Sequence, residues 1–90
     1  MEIEFDTDKR RQILEERGLD LADADQVFAE EHFQIEDIRK DYGEIRYRVW
    51  GFLRGQRISL AWTPRHGKRR IITMRHAHEQ EHQIHFRTLD

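Results

Sequence analysis

The fold is decided by residues 45–62, Ile45-Arg46-Tyr47-Arg48-Val49-Trp50-Gly51-Phe52-Leu53-Arg54-Gly55-Gln56-Arg57-Ile58-Ser59-Leu60-Ala61-Trp62. Ile45, Tyr47, Val49 and Leu53 fall on one face of an extended chain. Arg46, Arg48, Trp50 and Phe52 fall on the other, because side chains alternate across a strand. Arg54-Gly55 suits a two-residue turn, and Ile58, Leu60 and Trp62 then alternate with Arg57, Ser59 and Ala61. Two alternating runs joined this way predict an antiparallel hairpin.

Downstream, Thr63-Pro64-Arg65-His66-Gly67 reads as a turn with Pro near its start and Gly at its end. It leads into a further strand from about Arg69 to Arg75, centred on Ile71 and Ile72. From Ala77 the period becomes helical, with Ala77, Glu81 and Ile84 on one face. Upstream, residues 33–38 show a strand pattern and 39–43 form a polar loop. At the start, Ile3 and Phe5 alternate with acids as a short strand. Asp6 is an N-cap signal, Ile13 and Leu14 give a helix its apolar stripe, and Gly18 is a stop signal. Asp20 caps a second helix, whose Leu21, Ala24, Val27 and Phe28 share an apolar face. The order is strand, two helices, three or four antiparallel strands and a C-terminal helix, an α+β arrangement.

Ninety residues leave room for one domain, spanning 1–90. Hydrophobic residues make up 37% and charged residues 38%, but the aromatics and the periodicity argue against disorder. The absence of cysteine excludes a disulfide framework, thiolate metal sites and a cysteine nucleophile, and suits a reducing cytoplasm. No apolar run approaches the roughly 18 residues of a membrane span. The opening Met1-Glu2-Ile3-Glu4 is acidic, unlike a signal peptide.

The net charge of −2 conceals a split. Residues 1–43 carry six Lys/Arg against fourteen Asp/Glu, and residues 44–90 carry ten against four. Either the two halves attract each other or the basic half presents a surface to a polyanion. The arginines could serve the second reading, although a solvated sheet face whose arginines pair with the acidic helices is the commoner outcome of such a pattern. Arg46 and Arg48 share a strand face with Trp50; Arg69 and Arg75 share a face of the last strand, and Arg65 lies in the turn that feeds it. Planar guanidinium donates paired hydrogen bonds to phosphate oxygens, and aromatics stack exposed bases. Alternation places Arg70 with Ile72 and Met74, a packed face where it would serve as an ion-pair partner.

Other chemistries have less support. His78, His82 and His85 share one helical face, and an i, i+4 pair can ligate zinc. No third ligand accompanies them, so no metal is expected. Ser59 is the lone serine and lies inside a strand, no Gly-rich phosphate loop or serine elbow occurs, and no cofactor is expected.

Phe5-Asp6-x-x-Lys9, Arg17-Gly18 and Ala24 resemble the start of the BrnT toxins. The centre, Asp41-Tyr42-Gly43-Glu44-x-Arg46-Tyr47 and Gly51, is similar too. So is the closing stretch, Thr63-x-Arg65-x-Gly67, Arg70-Ile71-Ile72, Arg75-x-Ala77 and Glu81. The resemblance covers about residues 3–83. It implies a RelE-like fold and a ribonuclease toxin that blocks translation. It further implies neutralisation by a BrnA-like antitoxin with a ribbon-helix-helix part, a homodimer within the complex, and contact with operator DNA only through the antitoxin.

A metal-free ribonuclease must neutralise phosphate charge and move protons around a ribose 2′-OH nucleophile. The resemblance and the residue chemistry together assign transition-state phosphate to Arg65 and Arg75, with Arg46 and Arg70 as supporting or substrate contacts. Tyr47 and Trp50 join the substrate-binding set. Lys9 matches the family lysine, as a charge or an acid. His76 is the acid–base candidate, with His66 and Tyr47 as rivals. The chain also departs from the family pattern. Arg17 replaces the usual histidine before the glycine, Ile13 replaces an asparagine, and His76, His78 and Gln80 occupy a usually basic stretch. The alternative expectation is therefore a degenerate toxin, a non-catalytic dimeric module that binds the antitoxin and co-represses the operon.

Overall fold

The computed structural model describes residues 1–87. Strand β1 (Ile3–Glu4) precedes helix α1 (Thr7–Arg17), a 3-10 turn (Leu21–Asp23) and helix α2 (Ala24–Ala29). Strands β2 (Phe33–Glu36), β3 (Tyr47–Leu53), β4 (Gln56–Arg65) and β5 (Lys68–His76) follow, then helix α3 (Glu79–Arg87). The α+β expectation holds, with five strands in one sheet, ordered β1-β5-β4-β3-β2. β1 pairs parallel with β5, and the other pairs are antiparallel.

The cap signals of α1 act as read, whereas Asp20 caps the 3-10 turn and α2 begins behind Asp23 without a side-chain cap bond. Asp6 Oδ1 accepts from the backbone N–H groups of Asp8 and Lys9 at 2.9 and 3.0 Å. Gly18 takes φ +69° and closes α1 through the Leu14 carbonyl, a conformation that favours glycine. Asp20 accepts from Ala22 N–H and is held by both Arg10 Nε and Nη2.

Ile13, Leu21, Ala24 and Val27 from the helices meet Val49, Leu53, Ile58, Leu60, Trp62, Ile71 and Met74 from the sheet in one core. The close approach of α2 is set at Gly51, where a Cβ would lie 2.9 Å from Val27 Cγ1 and 3.2 Å from His32 Cβ. Arg54 and Gly55, both at positive φ, make the β3–β4 turn. The next turn is tighter than the sequence suggests. Pro64 stays in β4 opposite Arg69, and only His66 and Gly67, at φ +55° and +71°, turn the chain.

Strict alternation fails in β5. The register slips between Ala61 and Trp62, which face Thr73 and Ile71, so Ile72 is an extra residue. Such a bulge rotates the chain beyond it onto the other face. Ile71 and Met74 therefore both enter the core, while Thr73 and Arg75 face away. The expectation that Arg69 and Arg75 share a face is corrected. Arg69 lies on the helix side, 4.0 Å from the Phe28 ring centre and 5.3 Å from that of Trp62. Arg70 is set apart from Met74 and pairs with Glu4 at the edge, 3.7 Å away.

Helix α3 covers the opposite face of the sheet at its β3 end. Of the expected Ala77, Glu81 and Ile84 face, Ala77 precedes the helix, Glu81 meets the sheet through Trp50 and Arg75, and Ile84 is exposed. His82, His85 and Phe86 lie against Phe52 and Trp50 instead, with ring centroids 3.6–5.4 Å apart. Flat imidazoles supply the apolar contact that the polar sequence of α3 lacks. No helix among the described residues is long and apolar enough to cross a membrane.

Candidate functional site

Beside α3, on the sheet face away from the core, lies a pocket of about 180 Å³. Arg39, Arg48, Arg75, Ser59 and Thr73 border it over a floor of Leu60 and Ala61. Pairing of Ser59 with Arg75, and of Arg48 and Thr73 with Ala61 between them, sets the four polar residues around one sheet position.

Each guanidinium has a different tether. Arg39 reaches in from the β2–β3 loop and is clamped by Asp37 through two 2.8 Å hydrogen bonds. Tyr42 also donates to Asp37 at 2.9 Å. These donors hold the buried Asp37 carboxyl well below the usual carboxylate range. Arg75 is gripped by Glu81 of α3, from Nη2 to Oε1 at 2.6 Å and from Nη1 to Oε2 at 3.1 Å. Arg48 is the least satisfied of the three. It lies 4.5 Å over Trp50, and its closest carboxylate is Glu81 at 3.9 Å. Burial, and secondarily the charge of Arg39, lower its pKa, with Arg75 adding to the effect. A half-buried cation beside two like charges is stabilised by an incoming anion.

The sequence-predicted residues are thereby sorted. Arg75 is in the pocket. Arg65 faces Lys68 at the far end of the β4–β5 hairpin. Six residues separate it from Ser59, the partner of Arg75, or about 20 Å of strand. The two cannot grip one phosphate. Lys9 and Arg70 come together elsewhere, in a pocket of about 460 Å³ shared with Asp6, Asp8 and Gln12. Two carboxylates there offset the two cations, so the smaller arginine pocket is the better anion site. Arg46 stacks on Tyr42 at 4.2 Å and pairs with Glu44 at 3.0 Å. His76 ends β5 next to Arg75 and is exposed. His66 approaches Glu4 at 3.4 Å, in the distant turn.

The two aromatic candidates are occupied. Trp50 is fully buried, stacked on His85 with its Nε1 donating to Glu81 at 2.9 Å. Tyr47 stacks on Trp62 against the core at 4.8 Å. Neither offers a free ring to a base.

Sequence reasoning placed Arg48 beside Trp50 without assigning it a role, and missed Arg39 and Glu81. Alternation could have promoted Arg48. Nothing in the polar run 39–43 signals that Arg39 folds back over the sheet. Arg17, the departure at the end of α1, donates to Thr73 Oγ1 at 3.2 Å and to the Met74 carbonyl at 2.9 Å. It reaches the pocket rim across the open edge of β5.

The motif H-E-x-x-H is present as His78-Glu79-Gln80-Glu81-His82, which corrects any reading of this span as lacking it. In the structure His82 is buried with Nε2 3.0 Å from the Gly51 carbonyl oxygen, and Glu81 is committed to Arg75 and Trp50. No cluster of three metal-ligating side chains occurs among the described residues.

Residues 5–81 match a family model described as "Ribonuclease toxin, BrnT, of type II toxin-antitoxin system". No curated protein matches the chain.

Proposed function

The chain belongs to the BrnT family of ribonuclease toxins of type II toxin–antitoxin systems, and on that premise we propose that it is a metal-independent endoribonuclease whose scissile phosphate sits among Arg39, Arg48 and Arg75. The supporting observation is the convergence of three guanidiniums and two hydroxyls on one sheet face, with the Arg48 guanidinium no closer than 3.9 Å to a carboxylate among the described residues.

In this reading the ribose 2′-OH attacks the adjacent phosphorus, and the 5′-oxygen leaves. Arg48 and Arg75 neutralise the charge that grows on the non-bridging oxygens. Arginine suits this role because it stays charged at every working pH. Ser59 and Thr73 hydroxyls hydrogen-bond the phosphate and fix its orientation. His76 is the proton-transfer candidate by its chemistry, but it follows Arg75 directly and strand alternation turns its side chain to the other face of β5. Lys9 and Arg70 contact the RNA further along its backbone. Arg65 and Arg46 supply long-range attraction to the strand.

A BrnA-like antitoxin would cover this basic face, with the toxin dimerising in the complex and meeting operator DNA only through its partner. One observation favours the non-catalytic alternative: among the described residues no imidazole, lysine or carboxylate borders the arginine pocket itself, so it could hold RNA without cutting it. Incubation of labelled RNA with purified protein in EDTA separates the two. Cleavage that Arg75→Ala removes supports the enzyme. Binding without cleavage, equally sensitive to Arg75→Ala, supports the module.

A further inference from the structure

We propose that Glu81, pinned by the buried indole of Trp50, is a positioning residue that aims the Arg75 guanidinium into the arginine pocket. The proposal rests on the reading of that pocket as a phosphodiester site.

Glu81 is the carboxylate at this corner of the sheet, and every direction around it is used. Oε1 accepts from Trp50 Nε1 at 2.9 Å and from Arg75 Nη2 at 2.6 Å. Oε2 accepts from Arg75 Nη1 at 3.1 Å and from the His78 backbone N–H at 3.4 Å. Arg48 Nη2 lies 3.9 Å from Oε1. A carboxylate so engaged is no proton carrier. The Arg75 donors, with help from Trp50, hold its pKa down to about 2, so it stays ionised.

Two roles remain for an ionised acid beside an anion pocket: it can plug the pocket or shape it. The lining favours shaping. Among the described side chains none of α3 borders the pocket, which stays open with the helix docked. Glu81 stands behind Arg75. It takes the end of the guanidinium, both Nη groups, and leaves Nε with no hydrogen-bond partner among the described residues. A bidentate carboxylate fixes the plane of the guanidinium as well as its position.

Trp50 supplies the rigidity. Its ring is fully buried and stacked on His85 at 3.6 Å, so its N–H points in one direction. A buried indole N–H needs a partner, and Glu81 is the one it finds. Rigid sheet, buried donor, carboxylate and guanidinium thus form a chain ending at the reacting phosphate. This arrangement suits catalysis, since an error near 1 Å in such a group can cost about 100-fold in rate.

The test compares wild type, Glu81→Gln, Glu81→Asp and Trp50→Phe. Glu81→Gln keeps the shape and an acceptor for Trp50; Trp50→Phe keeps a ring against His85 but removes the donor together with part of the packed indole, a packing loss that the melting temperature reads separately. Three quantities are read: the single-turnover cleavage rate at saturating RNA, the affinity for an uncleavable 2′-O-methyl RNA, and the melting temperature. Positioning predicts that Glu81→Gln and Trp50→Phe each lower the saturated rate by about 10- to 100-fold while the uncleavable RNA binds within about threefold of wild type. Glu81→Asp recovers part of the rate. A rate unchanged per folded molecule overturns the proposal, and a rate above wild type overturns it in favour of a plug.

Arg75 side-chain NMR keeps the test independent of cleavage, including the case where wild type cuts nothing and the ribonuclease reading fails. Slow rotation about the Arg75 Nε–Cζ bond in wild type, lost in Glu81→Gln, supports positioning. Equal rotation in both proteins overturns it.

Discussion

Ile71 and Met74 stand three residues apart on one strand, yet both point into the same core. An unbroken strand cannot do this, because residues three apart face opposite ways. The extra residue, Ile72, makes it possible and carries Arg75 to the face where Arg48 waits. The core and the candidate site are therefore set by one irregularity.

Deleting Ile72 is expected to force a choice between burying Met74 and presenting Arg75, and to leave the chain largely unfolded by circular dichroism. The point substitutions Ile71→Ala and Met74→Ala each remove a fully packed side chain, at a cost of about 2–5 kcal/mol. Urea denaturation measures both. A loss below 1 kcal/mol at Met74 would contradict its placement.

Gly51 is the second geometric constraint. A Cβ there would meet Val27 Cγ1 at 2.9 Å, closer than packed carbon atoms tolerate, so α2 must shift outward. Gly51→Ala is expected to destabilise by about 1–3 kcal/mol. Gly51→Ala combined with Val27→Ala should lose less than the sum of the two single changes, a coupling that a double-mutant cycle reads directly.

Acid should weaken the docking of α3, and the signs agree for Glu81 and His85, the two of its groups that the sheet perturbs. His85 has its pKa lowered first by burial and then by Arg48, so the unfolded chain takes up the proton more readily. Stability from this group is present above the ordinary value of about 6.5 and falls as pH drops below it. Glu81 has its pKa lowered from 4.5 to about 2, so its contribution is present above 4.5 and is lost as pH falls from there towards 2. Melting temperature should decline in two stages. His85→Phe should flatten the upper stage and Glu81→Gln the lower.

Arg48 and Arg65 should behave differently towards RNA. Arg48→Ala removes a guanidinium inside the pocket, so it should weaken binding and reduce the slope of log affinity against log salt by about 0.7, one phosphate contact on a single strand. Arg48→Lys should restore little, because an ammonium cannot present two parallel donors. Arg65→Ala should affect affinity at low salt and leave the saturated cleavage rate near wild type. A fall in saturated rate at Arg65 as large as at Arg75 would place the reacting phosphate at the wrong end of the hairpin.

The elements were legible in the sequence where the signal is local. Asp6, Gly18 and Asp20 punctuate the first helices as their chemistry dictates, and Arg54-Gly55 turns the central hairpin. The α+β order and the family followed from motifs spread along the chain. The site was legible only in part, because its geometry depends on events with no local signature. The bulge at Ile72 reverses the strand parity on which the pairing of Arg69 with Arg75 rested. Trp50 reads as an exposed aromatic among arginines, and becomes buried only because a polar helix lays His85 on it. Arg39 belongs to a loop whose path is set by Asp37, Tyr42 and the carbonyl of Arg46, which accepts from the Asp37 N–H at 2.7 Å. None of these contacts leaves a periodic trace.

The most direct measurement is cleavage of a labelled RNA by purified protein in EDTA, with wild type, Arg48→Ala and Arg75→Ala side by side. Cleavage by wild type, reduced at least about 100-fold by either substitution as loss of a transition-state contact requires, is the expected result. Equal cleavage by all three proteins, or cleavage abolished by EDTA, would contradict a metal-independent site among Arg39, Arg48 and Arg75.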